Sequence, residues 1–227
     1  MLLDLLVPRR CAACGVLGPA LCPRCRADLP RLRGPCCARC GGPTAWPVKR
    51  CLECSGRRLA FASARAAVAY HGPVRPLVAA WKERGLRRLA EEAADVIVRT
   101  VARPSVVALT FVPPDGDRSV KRGHHPAERL ARELGRRWEL PVAPALGRTR
   151  EPRPQRGLSL AARRQNVAGA FVARSRVPAR LGVIDDVYTT GATVSAAASA
   201  LRAAGARHVE VVTFARTVRR LESANRS

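Results

Sequence analysis

From residue 61 onward, short apolar runs alternate with stretches in which apolar residues return every three or four positions. The first spacing suits a buried strand, the second a helix that lays one side on a core. Ala64 to Tyr70 reads as a strand, followed by the turn His71-Gly-Pro and a helix through Trp81 and Lys82. Leu86 to Val101 has helical spacing of Leu, Ala and Val. Val106 to Val112 reads as a buried strand. Pro126 to Trp138 reads as a helix with proline in its first turn, where the missing N–H costs nothing. Short strands are expected near Pro141 to Ala145, near Gly169 to Ala173 and at Leu181 to Asp185, then a helix to Gly205 and a last strand from His208 to Ala215. Strands alternating with helices predict an α/β domain over residues 61–227, a parallel sheet covered by helices on both faces. Ligands of such sheets bind at the carboxyl ends of the strands.

Residues 1–60 have too few apolar positions to build a core, and they carry all nine cysteines of the chain. Eight form four C-x-x-C pairs: Cys11/Cys14, Cys22/Cys25, Cys37/Cys40 and Cys51/Cys54. A C-x-x-C knuckle aims two sulfurs at one ion, so two knuckles complete a tetrahedral all-cysteine zinc site. Four knuckles predict a double zinc ribbon whose folding energy is supplied by metal. Sequential pairing is the simplest arrangement, although ribbons also interleave and spacing does not decide it. Cys36 is left over, as a spare thiol or a buried small residue. Disulfides are the rival reading, but Met1-Leu-Leu-Asp-Leu-Leu-Val is too short for a secretory signal and carries an acid where a basic region belongs.

Charge adds a partner class. The formal net charge is +24, a balance that favours polyanions. Eleven Lys/Arg against three Asp/Glu give residues 1–60 a charge of +8, leaving +16 for residues 61–227. Two filled all-thiolate sites would cancel about half of the former, since each adds about −2. Lys49, Lys82 and Lys121 are the only lysines, so part of the arginine excess is compositional. The +16 still exceeds what solubility requires and would attract nucleic acid. Aromatic stacking platforms are scarce at 4% of residues; Trp46 lies among the knuckles, while Trp81 and Trp138 sit in apolar helical contexts and read as core. Strand binding would therefore rest mainly on arginine, salt-sensitive and weakly selective.

The most specific segment is Val183-Ile-Asp-Asp-Val-Tyr-Thr-Thr-Gly-Ala-Thr193. An apolar strand ends in two carboxylates, and a Thr/Gly turn opens into a helix. Backbone N–H groups and the positive end of the helix dipole make Thr189, Thr190, Gly191, Ala192 and Thr193 a phosphate cradle. Asp185 and Asp186 would repel that phosphate unless aimed at something else, and ribose hydroxyls fit. After the strand at Val106, the loop Pro113-Pro-Asp-Gly-Asp-Arg-Ser-Val-Lys-Arg-Gly sets Asp115, Arg118, Lys121 and Arg122 where they could hold a diphosphate with Mg²⁺. A second loop, Gly147 to Gly157, carries Arg148, Arg150, Arg153 and Arg156 against one acid, with Arg163 downstream. It should be mobile, and it reads as a basic surface loop that could meet nucleic acid. No residue stands out as a general base; His124 and His125 read as surface residues at a helix start.

The 183–193 segment closely resembles the phosphoribosyl-diphosphate (PRPP) signature of type I phosphoribosyltransferases. That resemblance implies the type I phosphoribosyltransferase fold, with Asp185 and Asp186 on the ribose hydroxyls, residues 189–193 on the 5′-phosphate, and Mg²⁺ accompanying PRPP. The whole layout resembles the ComF family, a double zinc ribbon joined to a phosphoribosyltransferase-like domain. The matching residues are the four knuckles, Tyr70-His-Gly-Pro with Lys82, Lys121-Arg-Gly, Gln155-Arg-Gly-Leu-Ser with Arg163 and Asn166, Gly169-Ala-Phe, and the PRPP signature. Departures are Gly123-His-His-Pro, where the family commonly has Gly-Phe-Asn-Gln, and the acids Asp115 and Asp117 in the diphosphate loop. The resemblance implies competence and DNA uptake: handling of imported single-stranded DNA at the cytoplasmic face of the membrane, alongside a helicase-type ATPase. The alternative is a working transferase that moves ribose 5-phosphate from PRPP to a nucleobase or amine.

Overall fold

The computed structural model describes residues 10–83, 85–86, 88–114, 125–149 and 169–218. In chain order the elements are α1 (Pro23–Ala27), β1 (Ser63–Ala69), α2 (Val74–Glu83), α3 (Leu89–Val98), β2 (Ala108–Phe111), α4 (Pro126–Trp138), β3 (Leu146–Arg148), β4 (Phe171–Ala173), β5 (Arg180–Tyr188), α5 (Ala192–Ala203) and β6 (His208–Arg216). Four strands form a wholly parallel sheet in the order β1-β6-β5-β2.

Each face of this sheet has its own core. Ile184, Val212 and Phe214 pack with Trp81 of α2, Leu89 and Ile97 of α3, and Leu130 and Leu134 of α4. Val183, Val209 and Val211 pack with Val194, Ala197, Ala198 and Leu201 of α5. The alanines of α5 let its backbone approach the β-branched sheet closely, while the first face takes larger groups. There the fully buried Trp81 meets Phe214 edge-on at 6.2 Å between ring centres, a geometry worth roughly 0.5–1.5 kcal/mol beyond the area it buries.

Residues 10–61 divide between the two cores. Cys11, Ala12, Leu21, Cys25 and Leu29 join the α2–α4 face, whereas Cys37, Cys40, Cys54, Leu59 and Phe61 join the α5 face. Between them the chain crosses the outer edge of β1, where Ala69 N–H donates to the Pro30 carbonyl and Leu32 N–H to the Ala67 carbonyl, both at 2.9 Å. The unpaired edge of β1, an open template for strand addition, is thus covered by the protein's own chain. Gly41 touches the same strand. At φ +68° a side chain there would also strike the Ala64 carbonyl, so only glycine fits.

Local sequence explains most boundaries. α4 begins where His125 Nδ1 accepts the Glu128 N–H at 3.0 Å and Pro126 sits in the first turn. It ends at Glu139, left-handed at φ 53°. The strand expected near Pro141 to Ala145 shrinks to one parallel bridge, Val142 to Leu109, because Pro141 and Pro144 have no N–H to give a ladder. Nothing in Leu146-Gly-Arg, which carries no apolar run, predicts β3. It pairs antiparallel with β4 in the register Leu146 to Ala173. Among the described residues no helix is long and apolar enough to cross a membrane.

Candidate functional site

Two clusters of four cysteines stand out. Cys11, Cys14, Cys22 and Cys25 form one and Cys37, Cys40, Cys51 and Cys54 the other, the sulfurs of each all within 4.8 Å of one another. Cys14 and Cys22 are 3.9 Å apart, Cys37 and Cys54 3.5 Å, and Cys40 and Cys51 3.4 Å. The edge of a zinc–thiolate tetrahedron is about 3.8 Å, from Zn–S bonds of about 2.3 Å, whereas a disulfide brings sulfurs to about 2.05 Å. The donor sets fit zinc, and the knuckles pair sequentially. Burial pushes the Cys11 thiol up, but backbone N–H groups of Cys22, Cys14 and Ala13 outweigh it and bring it down to about 6. Cys37 follows the same logic, held at about 7 by the N–H groups of Cys40, Arg39 and Cys51 against burial. Burial leads in raising Cys25, Cys40 and Cys54. Each cluster therefore opens on a sulfur already inclined to ionise, the form a metal takes first.

The second constellation lies at the carboxyl end of the sheet. β5 delivers Asp185 and Asp186, and the chain turns through Thr189, Thr190 and Gly191 into α5. The alternation of side chains along β5 changes phase across the two acids: Val183 and Tyr188 belong to the α5 core, Ile184 and Val187 to the other. In keeping with that irregularity, the Asp186 N–H donates to the Asp185 carboxylate at 2.9 Å. Lys82 Nζ reaches across from α2 to Asp186 Oδ1 at 2.8 Å. Burial lowers the Lys82 ammonium, but the Asp186 carboxylate raises it further, and the net shift is upward. Desolvation, then the charge of Asp186, push the Asp185 carboxyl up to about 7, against the opposing pull of Lys82 and Arg148. Gly191 stands at the start of α5 with φ +74° and offers no side-chain cap, while Thr190 Oγ1 accepts the Ala192 N–H at 3.3 Å. A helix start left open beside two carboxylates suits a ligand carrying both an anion and hydroxyls.

A family model described as the double zinc ribbon domain matches residues 2–57. Competence protein F of Haemophilus influenzae is 28% identical over 208 residues, covering 86% of this chain and 90% of that protein. The DNA utilization protein YhgH of Escherichia coli K12 is 27% identical over 194 residues, covering 80% and 84%. That of Salmonella typhimurium is 28% identical over 228 residues, covering 88% and 98%. The chain is thus similar to these proteins over most of its length, and its first quarter matches the double zinc ribbon. A solved structure from Thermus thermophilus, that of TT1426, is 15% identical and covers 61% of this chain and 86% of its own, with a TM-score of 0.33, too slight a likeness to bear on the fold.

The sequence-predicted residues fall into three groups. The eight zinc ligands come together, as do Asp185 and Asp186 with Thr189, Thr190, Gly191, Ala192 and Thr193. Asp115, Arg118, Lys121, Arg122, Arg150, Arg153, Arg156 and Arg163 lie outside the described residues, as does His124. Arg148 and His125 are described, and both are more engaged than the sequence suggests. Arg148 sits in β3 rather than in a loop; its Nε donates to the Pro113 carbonyl at 3.2 Å and its guanidinium lies 4.8 Å from the centre of the Phe171 ring. His125, expected on the surface, is half-buried, caps α4 and packs 5.3 Å from Phe111.

Sequence reasoning missed three residues beside the loop. Tyr188 is 2% exposed, edge-on to Phe61 at 6.4 Å, and its buried hydroxyl has no partner among the described residues. Arg216, 1% exposed, ends β6, and Arg57 follows the last knuckle. Arg216 was detectable: a lone arginine that continues the run Val211-Val-Thr-Phe-Ala must be paired if the strand is buried. Arg57 gave no signal.

Proposed function

We propose that the chain binds PRPP with Mg²⁺ at the carboxyl end of its sheet and serves competence, handling imported single-stranded DNA. The observation that carries the small-molecule half is the conjunction of Asp185 and Asp186 with the uncapped start of α5. Asp185 and Asp186 accept the ribose 2′- and 3′-hydroxyls, and Lys82 holds Asp186 in place from α2. The Thr189–Thr193 turn takes the 5′-phosphate, where N–H donors and the helix dipole favour a dianion. Asp115, Arg118, Lys121 and Arg122 are assigned to the diphosphate and its Mg²⁺, which neutralises leaving-group charge when bound.

The DNA half rests on the relatives named competence protein F and DNA utilization protein YhgH, and on a net charge of +24. Phosphates are assigned to Arg150, Arg153, Arg156 and Arg163, with Arg148 at the root of that loop. A helicase-type ATPase at the inner face of the cell membrane is the expected protein partner. The second reading, transfer of ribose 5-phosphate to an acceptor, draws on the same intact carboxylate pair and turn.

The test is to titrate zinc-loaded protein with PRPP and Mg²⁺ by calorimetry, then follow pyrophosphate release with and without oligonucleotides or candidate bases. Binding without release supports a PRPP-responsive DNA-handling protein. Release that needs a base or amine supports the transferase. No heat of binding removes PRPP from both readings.

A further inference from the structure

We infer that the second zinc ribbon is a working part of the 188–191 turn, with Arg57 and Arg216 as positioning residues; this rests on the phosphate-loop reading only for the ligand concerned. Three consecutive carbonyls of the turn are pinned from outside it. The Thr217 N–H donates to the Tyr188 carbonyl at 2.9 Å, and the Thr217 hydroxyl donates to the Thr189 carbonyl at 2.9 Å. The third hold comes from the ribbon, where Arg57 Nη2 donates to the Thr190 carbonyl at 2.7 Å. In a trans peptide C=O and the following N–H point opposite ways. Holding the carbonyls of 188, 189 and 190 on the protein side therefore turns the N–H groups of Thr189, Thr190 and Gly191 away from it. That is the orientation an anion cradle needs, and it keeps three carbonyl oxygens from facing a phosphate.

The anchor of Arg57 is the metal knuckle itself. Its own N–H bonds the Cys54 carbonyl at 3.3 Å, and its carbonyl accepts from Arg50 at 3.1 Å. A parallel connection runs through Arg216. Its Nη1 donates to the Cys40 carbonyl at 2.6 Å, its Nη2 to Glu53 Oε2 at 2.8 Å between the last two cysteines, and its guanidinium lies 5.0 Å from the centre of the Tyr188 ring. Tyr188 in turn fills the space beside Gly191 that any side chain there would need. A third tie joins Ala60 N–H to Ser195 Oγ at 3.1 Å in the first turn of α5. Among the described residues, none of the first ribbon's hydrogen bonds or ion pairs reaches this turn; its tie to the fold runs through β1 and an Arg26–Glu92 ion pair.

The experiment uses full-length zinc-loaded protein, with Arg57→Ala and Arg57→Lys, and with Cys51→Ser/Cys54→Ser set against Cys14→Ser/Cys22→Ser. Zinc content, amide hydrogen exchange of the peptide spanning residues 188–193 and PRPP–Mg²⁺ affinity are read on each. Arg57→Ala is expected to keep both zinc ions and its melting temperature, exchange severalfold faster at 188–193, and lose about tenfold in affinity, with Arg57→Lys recovering part of both. Loss of the second zinc should accelerate exchange at 188–193, and loss of the first should not. Unchanged exchange in both Arg57→Ala and the second-site variant overturns the inference, even if wild type binds PRPP. If exchange responds as expected but wild type binds no PRPP, the ribbon does order the turn and the functional reading falls instead.

Discussion

The two zinc ribbons have the same ligands and nearly the same spacing, yet they serve opposite faces of one sheet. The first has Cys14 exposed, Cys22 partly so, and contributes to the core of α2, α3 and α4. The second has Cys37 and Cys54 at 0% and Cys40 at 1% exposure, and closes the α5 core next to the candidate ligand turn. Identical local chemistry thus acquires different consequences from what it is packed against. The first ribbon caps a core; the second also holds the backbone of the 188–191 turn through Arg57.

The largest effect expected from this contrast is on stability. Cys54→Ser should cost on the order of 4–5 kcal/mol, since a lost metal site is among the few single changes that reach this size. Cys14→Ser, whose side chain is exposed, should cost markedly less. Denaturant titrations with zinc content measured alongside decide it, and equal costs would dissolve the distinction between the ribbons.

Next comes the buried cation. Arg216→Met should cost about 3–5 kcal/mol because it strands Glu53 and the Cys40 carbonyl in a site shaped around a guanidinium. Adding Glu53→Gln should recover part of that loss, which a double-mutant cycle would report as coupling. An additive cycle would mean that the two side chains ignore each other.

The ease with which these features could be read from sequence follows the range of the forces behind them. β2, α4 and the β5–turn–α5 unit were legible because period, a proline in the first turn and a glycine at the turn act within a dozen residues. Zinc was legible because four knuckles at fixed spacing leave few alternatives. Their division between two cores was not, for nothing local says which face of the sheet a ribbon covers. Arg216 meets Glu53 and Cys40 across 163 and 176 positions, and Arg57 meets Thr190 across 133. Contacts of that range are decided by topology. β3 is hidden for a different reason: Leu146-Gly-Arg has no strand pattern and is held by pairing with β4.

A third prediction tests whether the second ribbon meets nucleic acid. Trp46 is 68% exposed, close in sequence to the exposed Lys49 and Arg50. The first ribbon presents Val16 and Leu17, at 61% and 58%, neither of which can stack on a base. Trp46→Ala should weaken single-strand binding by about 1–3 kcal/mol, roughly 5- to 150-fold, with little change in salt slope because stacking releases no counterions. Leu17→Ala should change neither. Filter binding over a salt series separates the two, and equal losses would deny the second ribbon any special contact with the strand.

The last effect concerns Asp185, beside the Lys82–Asp186 ion pair. Its carboxyl titrates at about 7 in the folded chain against 3.8 for the free group. Between about pH 4 and about pH 7 the folded state therefore binds more protons than the unfolded one, and stability contributed by this group falls as pH rises through that window. Asparagine has no proton to lose. The melting temperature of wild type should accordingly decline relative to Asp185→Asn from acid to neutral pH. Lys82 opposes the upward shift of Asp185, so Lys82→Met should move the decline to higher pH, whereas Arg57→Ala, acting on the turn from the ribbon side, should leave its midpoint in place. Thermal scans of the four proteins across the pH range provide the check. A wild-type curve parallel to that of Asp185→Asn would mean that the carboxyl is already ionised in acid.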